Sequence, residues 1–263
     1  MIHLTETGFA AGTIVVAAAT MPRFYEFHTS LDEVGAPEGS KRFVVRSCDI
    51  TQNFNDGIKL MVGEWVWFLG DDHAFDKDLL MRLLRRRVDV VVPITSCKSI
   101  PFMPCVLHGP ENGETWHEGL PVYHWDELSG KGLFPLPKGD FIGQAGMLVQ
   151  KRVLDTIGYP WFKCGQFDKG RLQEDMWFCH EIQEAGYTVH VDQDEVLDHY
   201  GIVGITARKH GGTWNPALKF GTNSIVLPDA KPKRLAMPFY DGKSKIQWDV
   251  LPTSLMPDPE VPV

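Results

Sequence analysis

The chain has 263 residues, 43% of them hydrophobic and 23% charged, which supplies a sizeable core and excludes global disorder. A net charge of -8 opposes the basic balance of a dedicated nucleic-acid binder. Five scattered cysteines (Cys48, Cys97, Cys105, Cys164, Cys179) with no C-x-x-C exclude a disulfide scaffold and fit free thiols in a reducing cytosol.

The N-terminus shows no basic region followed by a long apolar run, and the apolar stretch Thr13 to Ala19 is too short to cross a bilayer. The expectation is a soluble, cytoplasmic chain without an integral membrane segment. That stretch is rich in β-branched residues and ends at Thr20-Met21-Pro22, which predicts a buried parallel strand and a loop. Phe24, Phe27 and Leu31 recur at helical spacing, and Arg42 to Arg46 reads as a second strand. Phe54, Ile58, Met61 and Val62 share a helical face, with Thr51 as the expected N-cap. Glu64 to Leu69 is a third strand ending in Gly70-Asp71-Asp72-His73. Asp76 is positioned to cap the next helix, whose apolar stripe is Leu79, Leu80, Leu83 and Leu84; Val88 to Pro93 is a fourth strand. The basic run Arg85-Arg86-Arg87, with Arg82 one turn earlier, reads first as a solvated helix end and second as a phosphate-contacting patch.

Residues 95 to 140 are rich in Pro, Gly and His and predict loops with small antiparallel strands. Phe141 to Val149 resumes strand character, Arg152 to Ile157 a helix, Glu174 to Ala185 the last clear helix, and Tyr187 to Val191 a strand. Glu195 to His199 reads as a short strand or turn, and from about Gly201 the periodic pattern dissolves. The expected division is therefore a domain over residues 1–200 and a largely irregular extension over 201–263. The α/β alternation predicts a mostly parallel sheet flanked by helices, with a small antiparallel lip. Ligands of such sheets bind outside the carboxyl ends of the strands.

Three constellations carry chemistry. Asp71-Asp72-His73, at the end of a buried strand, offers carboxylate and imidazole to a divalent cation; the bland alternative is a capped turn. Glu174-Asp175 opens a helix, where acids complement the helix dipole or supply a general base. His199 follows the last sheet strand and can return to the cleft to complete a metal site, although a lone histidine is more often structural. His108, His117 and His124 match no zinc template, and Trp116, Trp125, Trp161 and Trp177 are read as packing residues before sugar- or base-stacking ones.

The order of these landmarks resembles GT-A glycosyltransferases, most nearly the large family 2 type, over about residues 10 to 201: Val15 to Pro22, Trp67 to His73, Gly143-Gln144-Ala145-Gly146, Glu174 to Cys179, and His199. The resemblance implies a nucleotide-sugar-binding sheet of the GT-A type and transfer of a sugar from a nucleoside diphosphate donor to a hydroxyl acceptor (a protein, a glycan or a modified DNA base). It implies that Ala19, Thr20 and Pro22 hold the nucleotide. The acidic cluster corresponds to the Asp-x-Asp motif that binds Mn²⁺ or Mg²⁺ and the donor diphosphate. Gly143, Gln144, Ala145 and Gly146 line the sugar and acceptor pocket, Asp175 with Glu174 matches the catalytic carboxylate, and His199 a late metal ligand. Gly70 stands where the first Asp of the motif usually falls. One register makes Asp72 the ligand with Asp71 beside the ribose; the other reads Asp71-x-His73, similar to the retaining polypeptide GalNAc-transferases. Two rivals are a nucleotidyltransferase, disfavoured by the loop Ala19-Thr20-Met21-Pro22-Arg23, and a sugar-nucleotide-binding module without turnover.

Overall fold

The computed structural model describes residues 3–4, 8–18, 24–46, 49–98, 102–109, 121–167, 170–201, 204–220 and 223–226. Its central sheet is built from β1 (Thr13–Ala17), β2 (Lys41–Val45), β3 (Trp65–Gly70), β4 (Val90–Ile94), β5 (Leu133–Pro135), β6 (Leu148–Gln150) and β7 (Val189–Val196). The helices are α1 (Tyr25–Glu33), α2 (Ile50–Lys59), α3 (Leu79–Arg85), α4 (Lys151–Ile157) and α5 (Glu174–Glu184).

Strand alternation divides the apolar side chains between two layers. Ile14 and Val16 of β1, and Trp65, Trp67 and Leu69 of β3, pack with Phe27 and Leu31 of α1 and with Leu79, Leu80 and Leu83 of α3. Val15, Val66 and Phe68 face the other way, onto Phe54 and Ile58 of α2, Val153 of α4, and Phe178 and Ile182 of α5. Trp67 and Phe68 are fully buried; each such side chain contributes roughly 2–3 kcal/mol relative to exposure.

The strand order is β2-β1-β3-β6-β4-β7-β5. β2, β1 and β3 are parallel neighbours, as are β4 and β7, while β6 runs antiparallel to both β3 and β4, and β5 antiparallel to β7. The expected mostly parallel sheet, flanked by helices and accompanied by a smaller antiparallel sheet, is present. Several details differ from the sequence reading. Asp49, not Thr51, caps α2: its side chain accepts the Thr51 N–H at 2.8 Å. The segment read as one strand from Phe141 to Val149 is two. Phe141–Ile142 pairs with Val106–Leu107, and β6 enters the main sheet only after a turn. Gly146 makes that turn with φ +75°, and a Cβ there would lie 2.6 Å from Pro93 Cγ.

The basic run is a solvated helix end only in part: Arg85 and Arg87 are exposed, but Arg82 and Arg86 are tied to acids of β7. Arg86 binds the fully buried Asp192 through two bonds of 2.7 and 2.8 Å and reaches Asp194 at 2.8 Å, while Arg82 binds Glu195 at 2.6 Å. These acids extend β7 beyond the Val191 at which the sequence pattern stops.

Beyond Gly201, where no periodic pattern is evident, the chain forms three further strands, Gly204–His210, Thr213–Phe220 and Asn223–Val226. They complete a five-stranded antiparallel sheet with Asp198–Tyr200 and His73–Ala74. Gly211-Gly212, both at positive φ, form the two-residue hairpin turn between the first two. Trp214 is buried against the main core, its indole N–H donating to the Gln193 carbonyl at 2.9 Å.

Candidate functional site

β3, β4 and β7 are parallel in the sheet, so their carboxyl ends open on one edge. β3 delivers Asp71, Asp72 and His73; β4 delivers Thr95 to Lys98; β7 leads through Leu197 to His199. A short antiparallel pairing then fixes the geometry, because His199 sits directly opposite His73, and Asp198 opposite Ala74. Their imidazoles stack with centroids 4.3 Å apart and planes 14° apart. The Tyr200 N–H donates to the Asp72 carbonyl at 2.7 Å and closes the turn.

Asp72, His73 and His199 each present one ligand atom, and these atoms lie within 4.8 Å of one another. His73 Nδ1 is 3.0 Å from Asp72 Oδ1, and His199 Nε2 is 3.8 Å from Asp72 Oδ2. Three observations fit this group to a divalent cation. His73 Nε2 is buried without a hydrogen-bond partner, and His73 Nδ1 has only the Asp72 carboxylate beside it, which is costly for Nε2 unless something else binds it. His199 Nδ1 lies 2.8 Å from the Ser96 carbonyl; a carbonyl only accepts, so Nδ1 carries the proton and Nε2 keeps its lone pair, the arrangement of a metal-binding histidine. Burial also lowers the His199 pKa, although Asp72 opposes this, which favours the neutral imidazole that a metal requires.

The Asp72 carboxyl is held well below the usual carboxylate range: burial opposes the ionised form, but His199, His73 and Lys98 outweigh it. Lys98 places its ammonium on Asp72 Oδ2. A cation held by Asp72 would have to compete with that lysine. Asp71 is buried beside the group but is not part of it.

Gly70 is explained by crowding. A Cβ at this position would lie 2.8 Å from Asp72 Oδ1 and 3.0 Å from His73 Nδ1. The residue that departs from the Asp-x-Asp pattern is the one that leaves room for the Asp72 and His73 side chains after it.

Asp175 lies at the start of α5, partly buried, with its Oδ1 accepting its neighbour Met176's N–H at 2.7 Å. Burial, followed by the charge of Glu174, pushes its carboxyl up to about 7. Its Oδ2 faces Gly143, where an added Cβ would sit 3.6 Å away. The Gly143 N–H donates to the Cys105 carbonyl at 3.0 Å. Lys98 thus touches the Asp72 group, and Cys105 holds the Gly143 that Asp175 faces.

Of the other residues singled out by sequence, Gln144 and Ala145 are partly buried, and Gly146 has a packing reason of its own. Ala19, Thr20, Pro22, Trp116, His117 and Cys48 lie outside the described residues. Trp125 and Trp177 are buried, and the Trp161 indole N–H donates to the Leu154 carbonyl. His108 stacks on Tyr123 and lies 3.5 Å from Asp140. Sequence reasoning missed Lys98 and the Ser96 carbonyl. The available signal was their place just after β4, on the edge where ligands of such sheets bind.

No protein-family model matches the chain, and no curated protein matches it. Among solved structures it is similar to A197 from STIV, at 12% identity and TM-score 0.44 over 74% of this chain and 89% of that one. It is also similar to S. aureus TarS 1-349, at 13% identity, TM-score 0.41 and coverage of 70% and 58%. The same TarS fragment in complex with UDP-GlcNAc gives 13% identity, TM-score 0.39 and coverage of 70% and 56%, so the chain spans less than two thirds of that fragment. Among the described residues, no helix is long and apolar enough to cross a membrane.

Proposed function

We propose that the chain is a metal-dependent glycosyltransferase that moves a sugar from a nucleoside diphosphate donor to a hydroxyl acceptor. The observation that carries this reading is the Asp72, His73 and His199 group at the carboxyl edge of the mostly parallel sheet. Asp72, His73 and His199 would hold the cation, and two imidazoles favour Mn²⁺ over Mg²⁺. When bound, such an ion neutralises a diphosphate leaving group as a Lewis acid. Asp175, with its carboxyl near 7, is poised to take the proton of an acceptor hydroxyl in an inverting reaction, since a general base works best near the operating pH. Ala19 to Pro22 would meet the nucleotide, Asp71 the ribose, and Gly143 to Ala145 the sugar.

The donor set alone also suits a zinc or non-haem iron centre of another chemistry. Release of nucleoside diphosphate from a panel of sugar nucleotides, measured with Mn²⁺, Zn²⁺ or Fe²⁺ in turn, separates the readings. Glycosyl transfer predicts Mn²⁺-dependent release that Asp72→Ala abolishes. No release from any sugar nucleotide, combined with no thermal stabilisation by nucleoside diphosphate plus Mn²⁺, would overturn the proposal.

A further inference from the structure

Cys97 and Cys105 do not behave as the scattered thiols that their sequence positions suggest. They stand on two facing antiparallel segments, residues 95–97 and 103–105, clamped together by backbone hydrogen bonds. The Cys97 N–H donates to the Met103 carbonyl at 2.7 Å, the Cys105 N–H to the Thr95 carbonyl at 2.9 Å, and Ser96 bridges Pro104 between them. Counting outward from that bridge puts both cysteine side chains on one face of the paired segments. Their sulfurs touch at 3.3 Å, and both residues are only half-buried, within reach of a small reagent. By contrast Cys179 is buried, and the exposed Cys164 has its sulfur 3.9 Å from Glu174.

We propose that Cys97 and Cys105 are a redox-active dithiol, which closes to a disulfide by exchange with a small-molecule disulfide such as oxidised glutathione. Closure needs the sulfurs to approach by about 1.3 Å, within reach of side-chain rotation on a frame that already holds them together. The Cys97 thiolate attacks one sulfur of the reagent, whose S–S bond breaks and releases one thiol. The Cys105 thiol then gives up its proton to solvent and attacks Cys97 Sγ in the mixed disulfide, releasing the second thiol. Two protein thiols are oxidised and one small disulfide is reduced to two thiols.

The order of attack follows from the surroundings. Contact with Cys97, burial and the nearby Asp175 charge all raise the Cys105 thiol, so Cys97 is the first nucleophile and Cys105 the resolving one. The cross-link ties the arm that continues into Lys98 to the arm whose carbonyl receives Gly143.

Trypsin cuts after Lys98, so the two cysteines fall on separate peptides and their link can be read directly. The full chain is incubated with oxidised glutathione, and its intact mass and non-reducing peptide map are recorded. The expected result is one Cys97–Cys105 linked pair of peptides, two hydrogens lighter than the free pair and distinct from any glutathione adduct on the exposed Cys164, and return to the starting mass with excess reduced glutathione. Cys105→Ser should stop at one glutathionyl group on Cys97, and Cys97→Ser should give no linked pair. Full alkylation of both thiols in the oxidised wild-type chain, or links that join other cysteines instead, would overturn the proposal without any need for the variants.

Discussion

Asp175→Asn keeps an oxygen that can accept the Met176 N–H at 2.7 Å while removing the charge that burial and Glu174 disfavour. The sign of the pH effect follows from proton counting. Between about pH 4 and pH 7, the folded wild type retains a proton on Asp175 that the unfolded chain has released, so stability falls as pH rises through that window. Below it the carboxyl imposes no penalty; above it the full penalty applies. Three pH units at 1.36 kcal/mol each set a ceiling of about 4 kcal/mol, and partial exposure of Asp175 reduces this to roughly 2 kcal/mol. Urea denaturation midpoints of wild type and variant should therefore coincide at pH 4 and diverge by pH 8, with the variant the more stable. Sugar transfer should meanwhile fall by about 10²–10⁴-fold, the usual contribution of a general base. A midpoint difference that does not change with pH, or a variant less stable at pH 8, would refute the reasoning that this carboxyl is held in its acid form by the fold.

Gly70→Ala pushes a methyl group to 2.8 Å from Asp72 Oδ1, so Co²⁺ titration followed by d–d absorption should show affinity reduced on the order of tenfold; unchanged affinity would mean that the crowding is harmless. Lys98→Met removes the ammonium that competes for Asp72 and should tighten Co²⁺ binding by about two- to fivefold, the value of a partly exposed ion pair. Asp192→Ala strips Arg86 of its buried partner but leaves it Asp194, and a loss of about 2–3 kcal/mol is expected from urea titration.

The parallel strands were legible because they are short apolar runs flanked by turn residues, and the helices because their apolar spacing persists over two turns or more. Two features hid the rest. β6 is three residues long, Leu148–Gln150, and nothing local says that it runs against its neighbours; Gly146 decides that through a turn whose need for glycine lies in contacts with Pro93 and Leu197. The strands after Gly201 carry Lys, Arg and His where a half-buried strand would alternate, so the hydrophobic period is lost even though Gly211-Gly212 marks their hairpin. The same limit applies to the basic run. Its partners Asp192, Asp194 and Glu195 lie far along the chain, and only the sheet brings them to α3.

The candidate site shows why those hidden strands matter to chemistry. Asp72 and His73 arrive from β3 as neighbours, but His199 reaches them only because Asp198–Tyr200 pairs with His73–Ala74. That short pairing would be too weak to hold two stacked imidazoles by itself. Asp198 is anchored from its other side by Lys219 at 2.8 Å and by the Thr206 hydroxyl, both supplied by the strands beyond Gly201. The segment with no visible sequence pattern is thus the support that sets the position of His199, the third proposed ligand. Truncation before Gly204 should therefore weaken cation binding even though every proposed ligand remains in the chain.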